Sequence, residues 1–101
     1  MDYSISEISN IVAPIAEKYG VKKVFLFGSR ARGDYREDSD YDFSIDPGEL
    51  TDYFEYMSFV EELESVFGKV NVVSKRTLRE DGFYQNMIAD EILIYDSETV
   101  N

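Results

Sequence analysis

Apolar side chains recur at three- and four-residue steps through Ile5, Ile8, Val12, Ile15 and Tyr19, which predicts a helix with one buried face. Ser4 stands three residues before Glu7, the spacing of a capping box, and Gly20 offers a stop. Pro14 falls inside this pattern without an amide hydrogen to donate, so a kink or a shortened helix is expected. From Val21 to Phe27 the run VKKVFLF is β-branched and aromatic between two glycines, and it predicts a buried strand at the centre of a sheet. Residues 28–39, GSRARGDYREDS, are too polar for a core and read as a helical turn followed by a loop. DYDFSID, residues 40–46, then alternates strictly: Tyr41, Phe43 and Ile45 point one way while Asp40, Asp42 and Ser44 point the other.

Pro47 and Gly48 close that second strand, and Thr51 or Asp52 caps a helix whose apolar positions Tyr53, Met57, Val60, Leu63 and Phe67 follow the helical period up to Gly68. KVNVV, residues 69–73, predicts a third strand with Val70 and Val72 on one face and Asn71 on the other. A further helix is expected over 77–89, and ILIY, residues 92–95, reads as a fourth strand or a docked tail. Helices interleaved with short strands make the fold class α/β (α+β). The 101 residues are expected to form one domain, 1–101, with no room for a second.

Composition narrows the chemistry. No apolar run approaches the roughly 18 residues of a membrane span, and the N-terminus, with Asp2 and no basic stretch, does not read as a signal peptide; the cytoplasm is the expected location. The chain has neither cysteine nor histidine, so a disulfide framework, a thiolate nucleophile, an imidazole base, a Cys/His zinc site and a Ser-His-Asp triad are all excluded. Twenty-one acidic against ten basic side chains give a formal charge of -11, which repels polyanions and makes a long nucleic acid a poor substrate. Solubility is the plainer account of that acidity.

Asp40 and Asp42 are two apart on a predicted strand, so both carboxylates leave the same face and converge on one cation. Such a pair repels itself and is best tolerated when a divalent ion neutralises it; Mg²⁺, which takes one or two carboxylates plus substrate phosphates, is the natural candidate. Gly28 and Ser29 lie where the first strand ends: glycine admits a phosphate to the backbone, and the serine hydroxyl donates another hydrogen bond. Arg30 and Arg32 add positive charge nearby. Taken singly, a Gly-Ser pair is usually only a turn, a DxD strand only a solvated face, and the arginines ordinary partners of Asp34, Glu37 and Asp38. In combination they suit a nucleoside triphosphate carrying Mg²⁺.

FLFGSRARGDYREDSDYDFSID, with Gly-Ser, ten residues and then Asp-x-Asp, resembles the signature of the minimal nucleotidyltransferases of the DNA polymerase β-like superfamily. The likeness extends through KVNVV and covers nearly the whole chain. It implies a mixed sheet flanked by helices, with Ser29 on the triphosphate of ATP and Asp40 and Asp42 on two Mg²⁺ ions. It further implies transfer of AMP to a hydroxyl, and, in small members, a role as antitoxin to a HEPN-type ribonuclease partner. The chain departs from the family at Asn71, where a third carboxylate is expected. An amide oxygen ligates weakly and accepts no proton at neutral pH. Loss of a general base typically costs ~10²- to 10⁴-fold in rate, so slow turnover and a purely binding role both stay open. Asp34, Asp38 and Asp46 are alternative acids.

The alternative to an enzyme is a catalytically inactive nucleotide-binding or toxin-neutralising module. Eight tyrosines and seven phenylalanines are many for a small core, so an exposed subset forming a homo- or hetero-oligomeric interface is expected, with core and edge packing the plainer account. The blandest reading is an acidic α/β domain without a nucleotide site.

Overall fold

The capping box forms: the Ser4 Oγ accepts from the Glu7 N–H at 3.1 Å while the Ser4 N–H donates to the Glu7 carboxylate at 2.8 Å. Helix α1 (Ile5–Tyr19) follows and ends at Gly20, whose φ of 72° is the left-handed cap that glycine adopts without steric cost. A computed structural model describes residues 2–76 and 89–99 of the chain. Contrary to the expectation from Pro14, α1 is not cut short. Pro14 and Asn10, whose carbonyl the proline leaves without its helical donor, are both on the exposed face, where solvent rather than core surrounds that turn. The buried stripe is Ile8, Val12 and Ala16, with Ile5 left outside it.

Strand β1 (Lys23–Phe27) is central, as its apolar run predicts. It pairs antiparallel with β2 (Tyr41–Asp46) on one side and with β4 (Ile92–Asp96) on the other. Strand β3 (Val70–Ser74) pairs parallel with β2, giving a mixed sheet of order β3-β2-β1-β4. Between β1 and β2 the polar segment makes one short helix, α2 (Ser29–Arg32), and a loop. Helix α3 (Tyr53–Phe67), capped by the Asp52 carboxylate on the Glu55 N–H, lies between β2 and β3. The helix expected over 77–89 lies, except for Ala89, outside the described residues.

Helices α1 and α3 cover one face of the sheet. Phe67 meets the rings of Tyr41 at 4.9 Å and Phe43 at 5.5 Å, and Val24, Leu26 and Ile45 are fully buried in the same cluster. The second half of α3 takes the expected face, with Leu63 and Phe67 buried and Val60 packed against the core, while its first turns depart from it. Phe59, Leu63 and Phe67 are buried and Tyr56 donates to the Val72 carbonyl at 3.1 Å, whereas Tyr53 and Met57 are exposed. Strict alternation along β2 sends Asp42 and Ser44 to the face away from these helices.

Candidate active site

The register between β1 and β2 sets Phe27 opposite Asp42, so the chain leaves β1 directly beside that carboxylate. Gly28 makes the turn with φ 75° and ψ -156°, a region open in practice to glycine alone. A methyl group at Gly28 would come within 2.3 Å of the Asp42 Oδ2, so the backbone approaches the acid as closely as a missing side chain allows. The N–H groups of Ala31 and Arg32 bond back to the Gly28 carbonyl and that of Gly33 to Ser29. The first two amides of the turn, of Ser29 and Arg30, have no backbone acceptor among the described residues.

Parallel pairing sets Asn71 of β3 opposite Asp42. Its side-chain nitrogen donates to the Asp42 Oδ1 at 2.8 Å and to the Asp40 Oδ2 at 3.2 Å, so Asp40, Asp42 and Asn71 form one cluster beside the Gly28–Ser29 turn. Burial pushes the Asp42 carboxyl above the usual carboxylate range; the Asn71 hydrogen bond pulls it down, the Asp40 charge pushes it up, and the Arg32 charge pulls it down.

The two arginines part company. Arg32 is half exposed, bridges Asp34 and Asp90 at 3.1 Å each, and is near enough for its charge to act on Asp42. Arg30 is 6% exposed and turns into the loop after α2. Its guanidinium donates to the Ser39 carbonyl at 2.9 Å and to Asp2 at 2.8 Å, and lies 4.3 Å from the Tyr35 ring centre and 4.2 Å from that of Tyr41. It therefore holds the loop that delivers Asp40 and does not join the acids.

No motif pointed to a second polar cluster behind Asp42 on the same face. Lys75, 17% exposed, pairs with Glu91, 12% exposed, at 2.6 Å and lies 3.9 Å from the Phe25 ring centre, while the buried Ser44 hydroxyl bonds to Glu91 at 3.4 Å. These partners are sixteen positions apart, beyond the reach of any local pattern. A concavity of about 510 Å³ lies at the other end of the sheet, between Gly20, Lys22, Gly48 and Ser97, away from the acid pair. Among the described residues, the place where paired carboxylates meet a close-approaching glycine turn is at Asp40, Asp42 and Gly28.

Among the described residues no three acids, histidines or cysteines gather as a metal site. The Asp40 and Asp42 carboxylates are hard oxygen ligands that suit Mg²⁺ supplemented by substrate phosphates, while Asn71 turns its nitrogen toward them. No helix among the described residues is long and apolar enough to cross a membrane.

A glycine corner pressed against paired acids on a mixed four-stranded sheet is the architecture of a nucleotidyltransferase. The chain belongs to the Polymerase beta, Nucleotidyltransferase family, whose profile it matches over residues 10–99. It is 34% identical over 99 residues to the Methanocaldococcus jannaschii protein MJ1379, whose name gives protein adenylyltransferase as a provisional assignment; the match spans 91% of this chain and 97% of that one. Protein adenylyltransferase MntA of Thermococcus cleftensis is 32% identical over 81 residues, 75% of this chain and 82% of its own. A solved complex of the tri-AMPylated Shewanella oneidensis HEPN toxin with MNT antitoxin shares the fold, with a TM-score of 0.68 at 14% identity over 94% of this chain and 75% of that one.

Proposed function

We propose that this chain transfers AMP from ATP to a hydroxyl of a protein partner, as the antitoxin of a toxin–antitoxin pair, with turnover slowed by Asn71. The observation that carries this reading is the close approach of the Gly28 backbone to Asp42, which sets the glycine turn directly beside the acid pair. The names of the adenylyltransferase relatives support adenylate as the transferred group, and the HEPN toxin complex supports a HEPN-type acceptor. Tyr53 and Phe54, 68% and 77% exposed and flanked by Asp52 and Glu55, support a partner whose docking surface is basic and apolar.

In this mechanism the Ser29 hydroxyl and the Ser29 and Arg30 amides bind phosphate oxygens, and Asp40 and Asp42 hold Mg²⁺. An ion held there would supply charge neutralisation on the triphosphate. The acceptor oxygen forms a bond to the α-phosphorus, the bond from that phosphorus to the β-phosphate bridging oxygen breaks, and pyrophosphate departs. The acceptor proton has to go to a carboxylate of the pair or to water, since the Asn71 amide accepts none.

The test is to incubate the purified chain with α-labelled ATP, Mg²⁺ and the product of the neighbouring gene. The expected result is slow labelling of the partner, raised ~10²-fold or more by Asn71→Asp. Labelling by the variant alone makes the native chain the noncatalytic binding form. No labelling by either protein contradicts transfer to that acceptor.

A further inference from the structure

The Asn71 amide occupies a position with a definite electrostatic meaning. Its two N–H bonds point at oxygens of different carboxylates, Asp42 Oδ1 and Asp40 Oδ2, and so bridge the acid pair from the β3 side. A bridging cation relieves repulsion between two carboxylates in the same way, and an amide nitrogen, whose lone pair is delocalised, cannot itself ligate a metal. The second oxygen of Asp42, Oδ2, faces the opposite way, toward Gly28 and the phosphate turn. The acid pair thus has two sides, one closed by an uncharged donor and the other bordered by the Gly28–Ser29 turn.

We infer that Asn71 is a specificity-determining residue that restricts the site to a single divalent ion, the one that arrives chelated to the triphosphate. This rests on the nucleotide-binding reading above and deepens it. With the amide in place the site carries two formal negative charges, and the hydrogen bonds that relieve them are already made. A free ion arriving without nucleotide has to displace those bonds, and only two protein carboxylates are there to receive it. The triphosphate supplies the remaining charge and ligands on the Gly28 side, so ion and nucleotide enter together. An ion on the β3 side finds a donor instead of an acceptor. Slow turnover then follows from a missing ion as well as from a missing base.

The experiment counts protein-bound Mn²⁺ by electron paramagnetic resonance on the full chain, with and without a nonhydrolysable ATP analogue, against nucleotide-only blanks. The native chain is expected to hold no Mn²⁺ alone at micromolar ion concentrations and one per chain with the analogue. Asn71→Asp is expected to hold at least one alone and two with the analogue. Two ions per native chain, or tight Mn²⁺ binding by the native chain without nucleotide, overturns the inference while leaving the nucleotide reading intact. Neither ion nor analogue on the native chain overturns both. Should the aspartate variant not fold, Asn71→Ala, which removes the donor and adds no charge, gives a second readout: nucleotide-free Mn²⁺ raises its melting temperature and leaves that of the native chain unchanged. An equal response in the two proteins contradicts the inference.

Discussion

Gly28 carries more of the site than any side chain does. Its backbone geometry is closed to other residues, and the position a Cβ would take is filled by the Asp42 carboxylate. Gly28→Ala is therefore expected to destabilise the fold by about 1–3 kcal/mol of backbone strain, with a further cost as Asp42 moves. Thermal unfolding measures the first effect and nucleotide titration the second; an alanine variant that keeps both native values contradicts the geometry. The Gly-Ser corner and the paired acids were legible in the sequence because both follow from local rules, the φ freedom of glycine and the two-residue period of a strand. The direction of Arg30 was not. Asp34, Glu37 and Asp38 all offered carboxylates nearby, yet its acceptors are the Glu37 and Ser39 backbone carbonyls and the remote Asp2, which only the folded loop brings together.

Among the helices, α1 announced itself through its cap and period, whereas α3 revealed its existence and the face of its second half but not that of its first turns. Tyr53, Phe54, Tyr56, Met57, Phe59 and Val60 make the first two turns apolar on nearly every side, so periodicity alone cannot choose a face. The sheet chooses it, through Phe59 packed in the core and Tyr56 bonded to Val72. The two helices are also tied at their surface: Glu62 of α3 accepts from Lys18 at 2.7 Å and from the Tyr19 hydroxyl of α1. Those two hydrogen bonds hold the Glu62 carboxyl below its ordinary value of 4.5. A depressed carboxylate stabilises the fold above its unfolded pKa and loses that contribution as the pH falls through its folded value. Glu62→Gln should thus lower the melting temperature slightly at pH 7 and match the native protein well below pH 4.5. An equal deficit at both pH values assigns the effect to packing instead of charge.

The molecule as a whole is strongly acidic, with a formal charge of -11, and exposes an aromatic pair at the start of α3. That combination favours association with a basic protein surface over a nucleic acid, through apolar contact and long-range attraction together. Phe54→Ala is expected to weaken capture of the neighbouring gene's product by about tenfold or more, and added salt to weaken it further. Unchanged affinity in a surface-binding assay would remove this face from the interface. The family was readable from the Gly-Ser and Asp-x-Asp signature, and the mixed sheet followed from that likeness, whereas the order β3-β2-β1-β4 was not readable before the structure. Nor was the Lys75–Glu91 pair behind the acids, because Lys75 reaches Glu91 only across the folded face of β2 and β1, past Ser44 and Phe25.

Calorimetric titration of the native chain and of Asp42→Ala with Mg²⁺ and a nonhydrolysable ATP analogue addresses the cradle itself. Saturable one-to-one binding by the native chain, weakened at least about tenfold in the variant, is the predicted result. Folded native protein that takes up no nucleotide, or a variant that binds it equally well, would contradict the account.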